Sequence, residues 1–361
     1  MNPWLTVGIV AVICGLLAML ARMSGGDESL SPAFPTDEAF GEPSAPGGRV
    51  TTPSRGSQHI DESPLPTGAP RWWLDPRGRP LALLGALLIA SGLAHVVVWG
   101  IDGGAWEGPV TWRKPILFGI SAGLTSLSLG WVWSKLPRRR WDGTLAAVTA
   151  WSLLVEVALI DLQCWRGVAS HFNRATPFDS FLYDAMGVLI LFVTLVVVDL
   201  TVRLFRTPAV LAPDMLAAAR AGLVLLVVSC GLGIWGSIHG DLQVARGLSP
   251  EVVGAAGVPK FPHGAVIHAL QWLPMLAWGA RRVGLSPRWR QRLVSAAIAG
   301  SVLILAYASV QTLAGRGRFD APPPIAALLV AGGLLLLVPW CVVAAALCGG
   351  LARLRVTGGL G

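Results

Sequence analysis

The residues able to do chemistry in this chain are few, and they recur near the ends of apolar stretches. Ser91, His95 and Asp102 follow one another at spacings of 4 and 7, which on a helix places all three on one stripe. Glu156 and Gln163 share a face through the same seven-residue spacing, with Asp161 between them. Arg166, His171 and Asn173 follow in a short polar run, then Asp184 and the His239–Asp241 pair. His263, His268 and Gln271 complete the series. Neutral imidazoles are ligands for haem iron or zinc. Carboxylates act as bases or carry protons, and Arg113, Lys114 and Arg166 could pair with anionic groups such as haem propionates.

Composition says what kind of element must position these groups. The chain has 361 residues, 53% apolar and 13% charged, against about 25% charged in soluble chains. That excludes an ordinary soluble enzyme and predicts an all-α, polytopic helical membrane protein. About 20 mostly apolar residues cross a hydrocarbon core of about 30 Å. Nine segments meet that length, roughly 4–22, 81–100, 115–134, 143–163, 182–202, 216–238, 264–280, 293–314 and 323–348. Residues 1–22 therefore read as a retained transmembrane anchor and 81–361 as an eight-helix membrane domain. Residues 23–80 read as a disordered cytoplasmic linker, since Ser, Pro, Gly and acids dominate it and little apolar surface could offset the entropy of ordering.

The five cysteines form no C-x-x-C pair, which excludes a disulfide framework, a zinc knuckle and covalent haem attachment. The formal charge of +8 lies in short loops between apolar spans, where it signals topology and not nucleic-acid binding. Of the 28 Lys and Arg residues, 20 fall on one set of alternating connections and 8 on the other. By the positive-inside rule the amino terminus lies outside, and the linker and carboxyl terminus are cytoplasmic, in a plasma (inner) membrane. Trp99, Trp106, Trp112 and Trp165 mark outer ends, while Trp131, Trp133, Trp141 and Trp289 mark inner ends.

In this topology the five histidines beyond the linker all lie at outer ends or in outer halves of spans. Each polar residue also has a structural use. His95 could bond a neighbouring helix, Arg113 and Lys114 could anchor at headgroups, and the His171–Asn173 loop could be a packed cap. Glu156 resists that reading, because a carboxyl group within the bilayer is costly and is usually paired or functional. His263 and His268 would diverge by about 140° on a regular helix, so they could share a ligand only if His263 precedes the helix proper.

Three long motifs resemble a family of uncharacterised multi-spanning bacterial membrane proteins. They are Asp102-Gly-Gly-Ala-Trp-Glu-Gly-Pro-Val-Thr-Trp-Arg-Lys-Pro115, Arg166-Gly-Val-Ala-Ser-His-Phe-Asn173 with Thr176-Pro-Phe-Asp179, and His263 through His268-Ala-Leu-Gln271. The likeness covers roughly residues 81–280 and implies a shared outer site without naming an activity. Ser91-Gly-Leu-Ala-His95 also resembles the Ser-x-x-x-His helix of the alkaline ceramidase and adiponectin receptor superfamily, which implies a zinc-dependent hydrolase. His263 and His268 depart by one residue from that superfamily's His-x-x-x-His element.

Three functions fit these residues. In the first, haem b for redox chemistry lies between spans 81–100 and 264–280, held by His95 and His268, with Arg113, Lys114 or Arg166 on its propionates. In the second, zinc on His95, His263 and His268 activates water against a lipid-like substrate, with Asp102 or Asp161 as base and Ser91 behind the ligands. The third is a transporter or receptor for a small molecule or lipid met at the outer side, using Glu156 and the outer basic groups for binding or proton coupling. Asp102, Glu156, Asp161 and His171 are the candidate proton-transfer residues. Phosphate-loop, dinucleotide and Gly-x-Ser-x-Gly motifs are absent from the sequence.

Overall fold

The computed structural model describes residues 71–207 and 209–357, with side chains to residue 349. The anchor expected over 1–22 and the linker residues 23–70 lie outside the described residues. The chain is all-α, as its composition predicts. Its helices are α1 (Gly78–Asp102), α2 (Arg113–Ser134), α3 (Asp142–Trp165), α4 (Pro177–Arg206), α5 (Pro213–Val244), α6 (Lys260–Val266), α7 (Ala269–Arg282), α8 (Pro287–Leu313) and α9 (Pro323–Thr357). No strand occurs among the described residues, where the only β contact is an isolated bridge between Val253 and Gly257. Seven of these helices are long and apolar enough to cross a membrane.

Helix starts follow local chemistry. Prolines open α4, α5 and α8, where a missing N–H costs nothing, and Thr176 caps α4 by accepting from the Asp179 amide. The segment expected as one span over 264–280 is instead two helices, interrupted at Ile267–His268. The pair still runs the length of the bundle. The α6 start lies beside the end of α8, where Thr312 donates to the Val258 carbonyl at 3.0 Å. The α7 end lies beside the start of α5, where Arg281 pairs with Asp214.

The chain therefore alternates between two faces. Loops 103–112, 166–176, 245–259 and 314–322 form one, called here the histidine face. Segments 71–77, 135–141, 207–212 and 283–286 form the other, the arginine face. Helices α2, α3, α4, α5 and α7 pack in sequence around a closed ring, and α7 returns to α2. Each wall contributes to one buried cluster through Leu129, Leu153, Val193, Leu226 and Leu270. Helix α1 packs outside α2 and α3, and α9 packs outside α8.

Two glycine seams bring backbones together. Gly85 and Gly92 of α1 abut Gly119 and Gly123 of α2 so closely that a Cβ on Gly123 would stand 2.6 Å from the Gly85 carbonyl oxygen. Gly300 and Gly332 join α8 to α9 in the same way. Without a hydrophobic drive between helices in lipid, such close approach supplies much of the packing energy.

The arginine face is fixed by buried ion pairs. Arg203 reaches Asp142 through both guanidinium ends, at 2.8 and 2.9 Å. Residues 71–80, the end of the expected linker, instead form a 3₁₀ turn at Trp72–Leu74 and the first residues of α1. Arg77 pins them by donating to the Leu136 carbonyl at 2.8 Å and to Asp75. Hydrogen bonding from Arg77 is the main cause that holds the Asp75 carboxyl down at about 2.

Candidate functional site

On the histidine face, loop 103–112 folds down over the ends of α1 and α3, with Trp112 at its centre. The Trp112 indole donates to Asp102 at 2.6 Å, stacks on His95 at 6.0 Å and meets Trp165 edge-on at 4.9 Å. Trp165 in turn donates its Nε1–H to His95 Nε2 at 3.0 Å, and His95 Nδ1 lies 2.9 Å from the Ser91 carbonyl. A carbonyl can only accept and an indole N–H can only donate, so the proton sits on Nδ1 and the lone pair on Nε2. Both ring nitrogens of His95 are thus engaged.

The other residues expected at this corner are also partnered. Ser91 Oγ donates to Asp161 Oδ2 at 3.3 Å, while Asp161 Oδ1 is buried without a partner among the described residues. Arg113 pairs with Glu107 at 3.4 Å, and Lys114 donates to the Pro109 carbonyl at 2.8 Å. Arg166, expected to reach propionates, is committed to Asp179 at 2.8 Å and to Gln163.

His171 forms a second site. Its ring sits among Phe118, Phe172 and Tyr183, with centroids 5.7, 6.4 and 6.0 Å away. Phe172 adopts φ +57° and presses its ring onto Gly240, where a Cβ would lie 2.4 Å from the ring edge. Tyr183 donates to Asp241 at 3.3 Å, so this aromatic box ties α2, α4 and α5 together. Burial, and then the charges of Lys114 and Lys260, push the His171 imidazole down to about 3. It is neutral at physiological pH.

The third site is the interruption of the α6–α7 span. His263 lies within α6 and His268 at the break that follows, so the two do not share one regular helix. Its Nδ1 is 2.8 Å from the Ser229 carbonyl, and Ser229 Oγ donates back to the His263 carbonyl at 2.9 Å. His268, at the break, faces α2 with Nε2 3.2 Å from Ser121 Oγ. Gln271 Nε2 donates to Ser128 Oγ at 3.0 Å. His268 Nδ1 and Gln271 Oε1 are buried within reach of each other, and no other group among the described residues bonds either atom.

Helix α2 separates His95 from His268. Gly119 faces α1, and Ser121 lies about 200° further round the helix at about 100° per residue. The two histidines expected to sandwich a haem therefore stand on opposite sides of α2. Of the three expected as one zinc set, His95 stands across α2 from the others, while His263 and His268 lie within electrostatic reach of each other and bond different helices. Among the described residues no three His, Cys, Asp or Glu side chains converge to hold a metal ion. His239 is also bound elsewhere, with Nε2 3.0 Å from the Val252 carbonyl and its ring stacked on Trp235.

Glu156 lies in the ring interior at 6% exposure, with no cation or hydrogen-bond donor near its carboxyl group among the described residues. Cys230 of α5 is within its electrostatic reach, and Thr194 of α4 lies beside that thiol. Sequence reasoning missed Trp112, the serine stripe of α2 and the aromatic box around His171. Trp112 stood in the 102–115 motif and as an outer-end marker, and the box left a signal in Tyr183, one of just two tyrosines. No protein-family model, curated protein or solved structure matches this chain.

Proposed function

We propose that this integral membrane protein is a binding or transport protein for a small polar solute, taken from the histidine side at the break between α6 and α7. One observation carries the reading. At the interrupted span, His268 Nδ1 and Gln271 Oε1 are buried within reach of each other, opposite Ser121 and Ser128, and among the described residues no other group meets them. Irregular backbone at membrane depth is tolerated where protein buries it or where it lines a cavity, and broken helices are a recurrent way to present polar groups at the bilayer midplane. An amide oxygen that no other group meets calls for a ligand with an O–H or N–H donor, and leaving such a group unmet costs about 1–3 kcal/mol. The 20-to-8 distribution of basic residues supports an external histidine face.

The test is mass spectrometry of small molecules released by denaturing protein purified from its membranes. The wild type is expected to release a polar solute that the His268→Phe and Gln271→Leu variants lose while still unfolding cooperatively. The reading is overturned if the wild type carries nothing and amino acids, sugars and nucleosides at millimolar concentration all leave its unfolding midpoint unchanged. A cofactor on His268 is the second reading, favoured by the Nδ1 of that ring, left to Gln271 alone among the described residues. It requires a Soret band that sharpens on reduction, or stoichiometric zinc, in the same preparation.

A further inference from the structure

Four acidic side chains in the bundle are almost wholly buried: Asp142, Glu156, Asp179 and Asp214, at 2, 6, 3 and 4% exposure. Three of them sit near helix ends with cations in place. Asp142 is bound by Arg203, Asp179 by Arg166 and Asp214 by Arg281 and Arg290. Glu156 differs on both counts. It lies fourteen residues beyond Asp142 and nine before Trp165 on α3, about 21 and 14 Å from the two ends at about 1.5 Å per residue. No cation compensates it among the described residues.

A bare carboxylate there would cost several kcal/mol. The charge must be balanced by a bound cation or removed by a proton. An alkali ion needs several oxygen ligands in place of its water. Toward Glu156 the structure offers the Cys230 thiol, and beside that thiol the Thr194 hydroxyl, already donating to the Ile190 carbonyl at 2.8 Å. That set suits a proton. Cys230 is the titratable group that faces Glu156 from α5, and Asp161 follows five residues later on its own helix. Asp161 stands about 140° round α3 from Glu156 and turns to Ser91 of α1, so the shorter way out for a proton is the roughly 14 Å along α3 to the histidine face.

We propose that Glu156 is an exchangeable proton site in the bundle interior, loaded and unloaded from the histidine face. The proton binds one carboxylate oxygen and leaves by the same bond, with no other group changing oxidation state. The site rests on the solute-transport reading only for the use made of the proton.

Dicyclohexylcarbodiimide, an apolar reagent that adds to protonated carboxyl groups, is the probe, with the full chain in detergent and modification read by peptide mass spectrometry. At neutral pH Glu156 is expected to react at least about tenfold faster than Asp142, Asp179 or Asp214, and its labelling should fall as the medium is made alkaline. Infrared spectra supply a second readout, a protonated-carboxyl stretch present in the wild type and in Glu156→Asp but missing in Glu156→Gln. No labelling of Glu156 in folded protein, or labelling indifferent to pH, overturns the proposal. Protection by sodium at constant pH also overturns it, assigning the group to a metal cation instead. Labelled Glu156 in a protein that carries no solute keeps the proton site and removes the transport reading. A solute without labelling does the reverse.

Discussion

At the scale of single residues, the environment of His171 sets a pH dependence whose sign can be worked out. Its folded-state pKa, pushed down to about 3, lies below the ordinary 6.5 of the unfolded chain. As pH falls below 6.5 the unfolded state binds a proton that the folded state refuses, so stability drops, by at most about 1.4 kcal/mol per pH unit. The thermal midpoint in detergent is expected to fall over the roughly two pH units below neutrality, and His171→Gln should flatten that slope. His95 makes a different prediction, because the Trp165 indole occupies the lone pair of its Nε2. Trp165→Phe should raise the rate at which diethylpyrocarbonate modifies His95, read by peptide mass spectrometry, and an unchanged rate would mean the bond does not shield the ring. The histidines themselves were legible in the sequence because they are rare and gather near span ends. Their partners were not, since the bonds from His95 to Trp165 and from His268 to Ser121 join residues 70 and 147 positions apart.

At the scale of elements, α2 has two working faces. Gly119 and Gly123 make the seam with α1, while Ser121 and Ser128 face α7 from the opposite side. Gly123→Val would force the α1 and α2 backbones apart and is expected to cost about 1–3 kcal/mol, as overpacking does, measured by unfolding in a denaturing detergent. Arg203→Ala takes from buried Asp142 its closer cation and leaves Arg77 at 3.6 Å, and a loss of up to about 3 kcal/mol is expected from the same titration. A smaller loss for the Asp142→Asn, Arg203→Gln double variant than for Arg203→Ala would identify the stranded charge as the cause. The eight apolar segments from 81 onward were legible because hydropathy is a property of the local chain. The break at His268 was not, although Pro262, Gly264 and Pro274 flank it. None of the three occupies the break itself, and that position depends on serines contributed by α2 and α5.

For the whole molecule, the alternation of faces puts residues 286 and 317 on opposite sides of the membrane. With native cysteines replaced, Gly317→Cys is expected to react with an impermeant maleimide on intact cells, and Ser286→Cys only after permeabilisation. Labelling of both from one side would contradict the full-length passage of the α6–α7 pair. That pair has a consequence for biogenesis. Its members have 7 and 14 residues, each short of the roughly 20 that a translocon recognises as one crossing, and His263, His268 and Gln271 are met by helices α2 and α5. Insertion of this segment must therefore wait on partners already in the membrane. If it is skipped, the parity of the chain changes and α8 and α9 enter upside down. The least hydrophobic crossing thus decides the orientation of the two helices synthesised after it.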